Sequence, residues 1–370
     1  MNVLHVIPSL HPAQGGLRTA LAGFCAALAT AGIHSTIAAV DDGDDRANDG
    51  DFGAIVHRFA PSRPKLTRNS AALAAWLAAH MDEFDAVITH SLWLTPTRLA
   101  LEAAHKAGVR AFAHPHGMLD PDALKHHAWR KLVRWNTGEA RSLKHARLLF
   151  STDEELNRAR TRAAVKALPA SVVPNAVDAA FFGVKREAAG KPPRILCLNR
   201  LHPRKGVREL IGALLLLHKG GVDFHATLAG ADEDTAYSAS VRQLAGPLAQ
   251  KVKFAGLRDR GWVLDQLAKA DLIVHPSTGY ENFGMVAAEA MAAGVAVVAS
   301  RRALLTPQLE RAKAAFGVEP NAEALAIAIE KLLGDAAARS ALAEAGRRYA
   351  REHFTVHAVG KQLAAVLSRH

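Results

Sequence analysis

Cysteine is nearly absent from this chain: Cys25 and Cys197 lie far apart, so no disulfide framework holds the fold. Long apolar runs are also missing. The nearest, Met285 to Ser300, carries Glu289 in its middle, which falls short of the roughly 18–20 uninterrupted apolar residues of a membrane-spanning helix. The first ten residues lack the basic start, apolar core and small-residue cleavage site of a secretory signal. A cytoplasmic protein is therefore expected. No fixed-period repeat or low-complexity tract occurs, and no Gly-x-Gly-x-x-Gly follows the first apolar run, which argues against a dinucleotide oxidoreductase.

What is present is a 370-residue chain, 49% hydrophobic and 22% charged, the composition of a globular protein. Its length suggests two domains. The formal charge is +11, with +3 in residues 1–178 and the rest beyond them. Nucleic acid, an anionic membrane surface and a phosphorylated small molecule would all satisfy that excess.

Short apolar runs alternate with helical patterns in both halves. Residues 3–7, 36–40, 86–89, 110–113, 148–150 and 171–173 read as strands, with a glycine turn at Gly15-Gly16 and an Ala-rich helix after the first. The pattern restarts with strands at 194–198, 224–229, 252–255 and 271–275. Such alternation predicts an α/β protein of two Rossmann-like, doubly wound domains, whose ligands bind at the carboxyl ends of the strands. The expected boundaries are 1–178, 179–350 and a C-terminal helix, 351–370, packing back on the first domain.

The richest segment runs from His275 to Ser300 and reads strand, loop, helix, glycine turn, strand. Glu281 falls at the loop-to-helix junction beside Gly284. Glu289 lies two turns along an otherwise apolar helix, where an unpaired carboxylate costs about 1–3 kcal/mol. Ligand donors such as ribose hydroxyls would satisfy it, as would solvent or a salt bridge if Glu289 is an ordinary helix residue and Glu281 an ordinary first-turn acid. Arg200, Arg204 and Lys205 follow the strand at 194–198 and open a helix at Gly206, an arrangement suited to a diphosphate. Histidines gather at two strand ends, His90 in one and His114 and His116 in the next.

The spacing of Glu281 and Glu289, with its flanks, resembles the donor-site signature of the retaining glycosyltransferases of family 4, which have the two-domain GT-B fold. The resemblance implies that Glu281 contacts the transferred sugar, Glu289 the ribose, and the backbone of Asn282, Phe283 and Gly284 the sugar diphosphate. Arg200 and Lys205 match the family's diphosphate-binding pair. Ile7-Pro8-Ser9-Leu10 with Gly15-Gly16 is similar to its glycine loop near the donor phosphates. His116-Gly117-Met118-Leu119 resembles an acceptor-side element in which a histidine lies near the reacting sugar, with His90, His114, Trp129 and Arg130 as further acceptor-side candidates. Val173 to Asp178 resembles the element closing the first domain, with Ala176 in the usual glycine's place. The segment 300–319 departs from the family pattern.

Catalysis is thus expected from Glu281, His116, Arg200 and Lys205, on a nucleotide-diphosphate sugar and a glycan or polyprenyl-linked glycolipid acceptor, in cell-surface polysaccharide synthesis. Neither cofactor nor metal is expected. His114 and His116 on one loop lack spaced acidic or cysteine partners, and the Asp-x-Asp pairs at 42–44, 120–122 and 232–234 sit in turn-like stretches. The segment from Lys125 to Arg147 holds seven Lys and Arg against Glu139 alone, with Trp129, Leu132, Val133 and Trp135 interleaved. It reads as a basic amphipathic helix, with peripheral contact to the inner face of the plasma membrane as one expectation and a solvated face with buried tryptophans as the other. The competing functions are a nucleic-acid or membrane-surface binding protein, an epimerase of nucleotide sugars on the same fold, and an inactive family member that keeps the nucleotide site.

Overall fold

A computed structural model describes residues 1–11, 15–41, 46–62 and 67–369. The chain divides into two compact units, one of residues 1–176 with 355–370, the other of residues 177–354.

The first unit is built on seven parallel strands: β1 (Asn2–Ile7), β2 (His34–Val40), β3 (Ile55–Phe59), β4 (Ala86–His90), β5 (Arg110–His114), β6 (Arg147–Phe150) and β7 (Ala170–Val172), in spatial order β3-β2-β1-β4-β5-β6-β7. The second has six: β8 (Arg194–Leu198), β9 (His225–Ala229), β10 (Val252–Gly256), β11 (Leu272–His275), β12 (Ala296–Ser300) and β13 (Phe316–Val318), in order β10-β9-β8-β11-β12-β13. In both sheets the order reverses beside the first strand, between β1 and β4 and between β8 and β11. That reversal leaves a crevice at the carboxyl ends of these strands, where open α/β sheets bind ligands.

Helices on both faces make the central strands nearly apolar throughout rather than alternating. In the first unit Leu4, Val6, Val87, Leu148 and Phe150 pack to one side. Val3, Ile88, Phe112 and Leu149 pack to the other, against Phe24 and Leu28 of the helix Gly16–Thr30 and Val359, Leu363 and Leu367 of the C-terminal helix Val356–Ser368. That last helix lies on Gly16–Thr30 at close range: a Cβ at Gly360 would sit 2.1 Å from the Ala27 carbonyl oxygen. Arg110 Nη1 donates to the Leu367 carbonyl oxygen at 2.7 Å and Gln362 Nε2 to that of Val172 at 2.8 Å. The tail thereby completes the first unit.

Three features depart from the sequence expectation. β3 and β13 carry no clear sequence signal, because one is a partly exposed edge strand containing His57 and Arg58 and the other has three residues. The basic stretch is not one helix: short helices at Pro121–Lys125 and Ala128–Arg134 pass into a π-turn, Trp135–Glu139, where Gly138 takes a non-helical φ of 166°. Its tryptophans also divide. Trp135 is buried, whereas Trp129 is 67% exposed, beside exposed Leu132 and Val133. Among the described residues, no helix is long and apolar enough to cross a membrane.

Candidate functional site

In the second unit, the loops after β8 and β11 are tied together. The Gly279 backbone N–H donates to the Arg204 carbonyl oxygen at 2.9 Å and Thr278 Oγ1 to that of Pro203 at 2.9 Å. Gly206, at φ 68°, ends the short turn Pro203–Lys205 and starts the helix Val207–Lys219. A Cβ there would lie 1.9 Å from the Pro276 carbonyl oxygen, so only glycine lets the two loops meet.

This close approach sets Lys205 against Glu281, and Lys205 Nζ donates to Glu281 Oε2. Burial would raise the Glu281 pKa, but Lys205, by its charge and its hydrogen bond, and Arg200 hold it below the usual value. It is a fixed carboxylate. Its backbone is clamped from the other side, with its N–H donating to the Arg302 carbonyl oxygen at 3.2 Å and its own carbonyl accepting from the Leu304 N–H at 3.0 Å. The segment that departs from the family pattern therefore supports the first glutamate directly. Arg200 stands apart from that pair, with Nη1 donating to Glu233 Oε1 at 2.6 Å on an exposed surface.

Two groups here were not singled out as site residues. His275, at the end of β11, is buried, and burial lowers its pKa to about 4, so it stays neutral beside Glu281. Asn199 Nδ2 lies 3.5 Å from His275 Nδ1. Their signal was positional, since each ends or follows a strand beside the sheet reversal. Gly284 caps the helix Met285–Ala292 at φ 78°, and its neighbour Phe283 is buried in the core rather than exposed. Tyr280 Oη donates to Asn282 Oδ1 at 3.0 Å.

Glu289 lies on that helix among buried alanines and methionine. Burial raises its pKa to about 7, opposed by Arg260 and reinforced by Asp178, which are themselves ion-paired. The group thus contributes stability that is fully present below pH 4.5 and lost as pH rises toward 7. A ligand that donates hydrogen bonds to the carboxylate favours the charged form and reverses this penalty.

In the first unit, Gly15 at φ 51° and Gly16 open the helix after β1, with no side-chain cap. The preceding Ser9 and Leu10 are fixed by Asp41, which accepts from Ser9 Oγ at 2.6 Å and from the Leu10 N–H at 2.7 Å. Strand pairing then gathers the histidines. His90 and His114 are neighbours in register on β4 and β5, and His116 follows in a loop held by Glu155, which accepts from the Gly117 N–H at 2.7 Å. Ser91, Trp93 and His116 all have φ between 49° and 77°, a concentration of backbone strain typical of a functional site.

His90 and His114 are buried, whereas His116 is half-buried. Burial pushes the pKa of all three well below the usual value. One ring nitrogen from each lies within 4.8 Å of the others. Pairing of β4 with β5 supplies the third imidazole that linear spacing did not reveal, and neutral imidazoles in such a set could hold a metal ion. The acidic pairs do otherwise. Asp120 is paired with Arg158 at 2.5 Å and caps Pro121–Lys125, while Asp232 pairs with Arg242 and Asp234 caps Thr235–Leu244. The pair at 42–44 lies outside the described residues.

Trp129 and Arg130 stand together on the outer surface, the Arg130 guanidinium 5.3 Å from the Trp129 ring centre.

Two family profiles match along the chain: glycosyltransferase family 4 over residues 14–181 and glycosyl transferases group 1 over residues 181–349. Over 133 residues the chain is 38% identical to a phosphatidyl-myo-inositol mannosyltransferase of Mycolicibacterium smegmatis, covering 35% of this chain and 33% of that protein. Over 200 residues it is 32% identical to a glycogen synthase of Mycobacterium tuberculosis, covering 53% and 47%. The chain thus spans between a third and half the length of these relatives. Among solved structures, Anabaena HepE in complex with UDP superposes with a TM-score of 0.79 at 21% identity, covering all of both chains. A glycosyltransferase from Rickettsia africae superposes at 0.80 with 18% identity, covering 100% of this chain and 98% of that one. These likenesses establish the fold, GT-B.

Proposed function

We propose that this chain, which belongs to the family 4 and group 1 glycosyltransferases, transfers a sugar from a nucleotide-diphosphate donor to a hydroxyl of a glycan or glycolipid. The Lys205–Glu281 pair carries the reading. It puts a cation that can neutralise a departing diphosphate beside a fixed carboxylate that can hold sugar hydroxyls, at the sheet reversal between β8 and β11.

In this scheme Lys205 stabilises the charge that grows on the leaving phosphate. Arg200 joins it once a diphosphate draws the guanidinium from Glu233, an exposed pairing that costs little to break. Glu281 orients the sugar, and Glu289 accepts from the ribose hydroxyls. His116 and the glycine loop at Gly15-Gly16 act from the first unit, to which acceptor binding is assigned. The cation pair can do the work that a divalent ion does on a diphosphate, so the transfer is assigned as metal-independent. Retention of anomeric configuration follows from the family resemblance. The polyanion-binding reading leaves the two glutamates and the two cations without a joint role, and the epimerase reading leaves the basic, tryptophan-bearing surface around Trp129 without a use.

Thermal melting tests the reading, because a ligand of the folded state must raise the melting temperature. One nucleoside diphosphate among UDP, GDP and ADP should raise it by several degrees with EDTA present. No shift with any, together with salt-sensitive binding to DNA or RNA, would contradict it.

The pH dependence follows from Glu289. Above pH 7 the carboxylate is charged and ready to accept from ribose; below pH 7 binding must first remove its proton. Nucleotide affinity should fall about fivefold between pH 7 and pH 6, and Glu289→Gln should flatten that slope in calorimetric titrations. An unchanged slope would place the titrating group elsewhere.

Peripheral membrane contact is the use we assign to the exposed apolar and basic surface around Trp129. Burying one such side chain contributes about 1.5–3 kcal/mol, so Trp129→Ala should weaken cosedimentation with phosphatidylglycerol vesicles at least tenfold. Equal binding of both proteins would contradict the assignment.

A further inference from the structure

A file of imidazoles runs through the interior of the first unit. Ser35 Oγ, near the start of β2, lies 3.4 Å from His5 Nε2. His5 Nδ1 lies 3.0 Å from His90 Nε2, and His90 Nδ1 lies 3.0 Å from His116 Nε2. His5 and His90 are wholly buried, and His116 keeps Nδ1 as the ring nitrogen that remains for a ligand. His114 stacks on His116 with ring centres 3.6 Å apart and closes one side. Phe24, 6.1 Å from the His90 ring centre, packs edge-on against it.

A neutral imidazole carries one N–H and one lone pair. At each link of the file one nitrogen must donate and the other accept, so the rings can be arranged in only two ways. Either every N–H points toward His116, whose Nδ1 then carries a proton, or every N–H points toward Ser35, and Nδ1 then offers a lone pair. A reversal at any link would set two N–H groups or two lone pairs against each other in a dry core, at a cost of about 1–3 kcal/mol. Burial holds His5 near pKa 3 and keeps the inner rings neutral, which preserves this logic across the neutral pH range.

We propose that His5 and His90 are positioning residues that tie the tautomer of His116 to the hydrogen-bond direction of the whole file, with one of the two directions populated, so that its Nδ1 meets the substrate sugar with a fixed hydrogen-bonding role. The proposal rests on the reading of His116 as sugar-facing. It assigns a purpose to two buried polar residues that a wholly apolar core would otherwise exclude, and to the left-handed backbone of His116, φ 49°, which sets that ring at the end of the file. Neither residue touches substrate; both act through His116.

The test is long-range proton–nitrogen NMR of the full-length protein labelled with nitrogen-15 in its histidine rings. His116 should show one protonated and one bare nitrogen, a single tautomer unchanged from pH 6 to pH 8. His5→Phe should convert that pattern to an averaged one and lower kcat about tenfold with little change in donor KM. His5→Asn, whose amide occupies the place of Nδ1, should restore much of both. Ser35→Ala, a milder change at the partly buried end, should move the His5 signals without altering the fold. An averaged His116 spectrum in the unaltered protein would overturn the lock, as would a His5→Phe protein that keeps the single-tautomer pattern and merely melts lower. A tautomer change with unaltered kcat would overturn the catalytic purpose. The spectrum needs no substrate. A protein that shows the single tautomer yet transfers no sugar from any donor therefore counts against the transferase reading and leaves the lock standing.

Discussion

Lys205→Ala is expected to lower turnover by about a hundred- to a thousandfold, the loss seen when one preorganised group that stabilises a developing anion is removed. The ground for a large effect is the local geometry. Lys205 is mostly buried, with 18% of its side chain exposed, and its ammonium is already paired with Glu281 rather than free in solvent. Little reorganisation is then required as charge builds on the leaving phosphate. The same change leaves Glu281 beside neutral His275 without its main cation, so the Glu281 pKa should rise and stability should fall by about 1–3 kcal/mol. Two readouts separate these effects. Lys205→Arg keeps the charge and should recover stability more than turnover, because a planar guanidinium differs in reach and geometry from an ammonium. The double change Lys205→Ala with Glu281→Ala should unfold less readily than Lys205→Ala alone, since it removes the stranded carboxylate. Full turnover of folded Lys205→Ala would remove Lys205 from the reaction.

Gly206→Ala is expected to give the largest loss of stability of any single methyl addition at the site. The new Cβ would overlap the Pro276 carbonyl oxygen, backbone that cannot rotate away, at a residue whose φ of 68° already disfavours a side chain. Overpacking with left-handed strain should cost about 3–5 kcal/mol, read as a reduced urea midpoint and a poor yield of folded protein. Gly15→Ala is the control. Its φ is also positive, at 51°, but among the described residues nothing lies within 4 Å of the added carbon, so about 1–2 kcal/mol is expected from backbone strain alone. Equal losses at both positions would show that conformation, not the meeting of the two loops, dominates at Gly206.

Much of the second unit's candidate site was legible in the sequence because its residues lie in short segments whose spacing resembles a family signature. Arg200 and Lys205 follow one strand, and Glu281 and Glu289 follow another with a glycine and a helix between them. What local spacing does not carry is contact across strands. The pairing of β4 with β5 sets His90 against His114 and brings the following His116 within reach of it, and β1 beside β4 adds His5, one polar residue in an apolar run. The clamp on Glu281 from Arg302 and Leu304 is hidden for the same reason, because it depends on where β12 ends. Charge pattern misled in one place. The basic stretch from Lys125 was read as a continuous amphipathic helix, but the backbone leaves the helix at His126 and His127 and again at Gly138, and Trp135 is buried while Trp129 stays outside. β3 escaped notice because an edge strand needs only one covered side and tolerates His57 and Arg58.

The proposed reaction moves a sugar from a nucleotide diphosphate and needs no metal. It is tested most directly by release of nucleoside diphosphate from UDP-, GDP- and ADP-linked sugars, with EDTA present and a glycan or polyprenyl-diphosphate-linked sugar as acceptor. The predicted result is acceptor-dependent release from one donor class, with an anomeric proton coupling in the product that matches the donor's configuration, and near-complete loss of release in Glu281→Ala. Release that disappears with EDTA and returns with a divalent ion, or full release in Glu281→Ala, would contradict it.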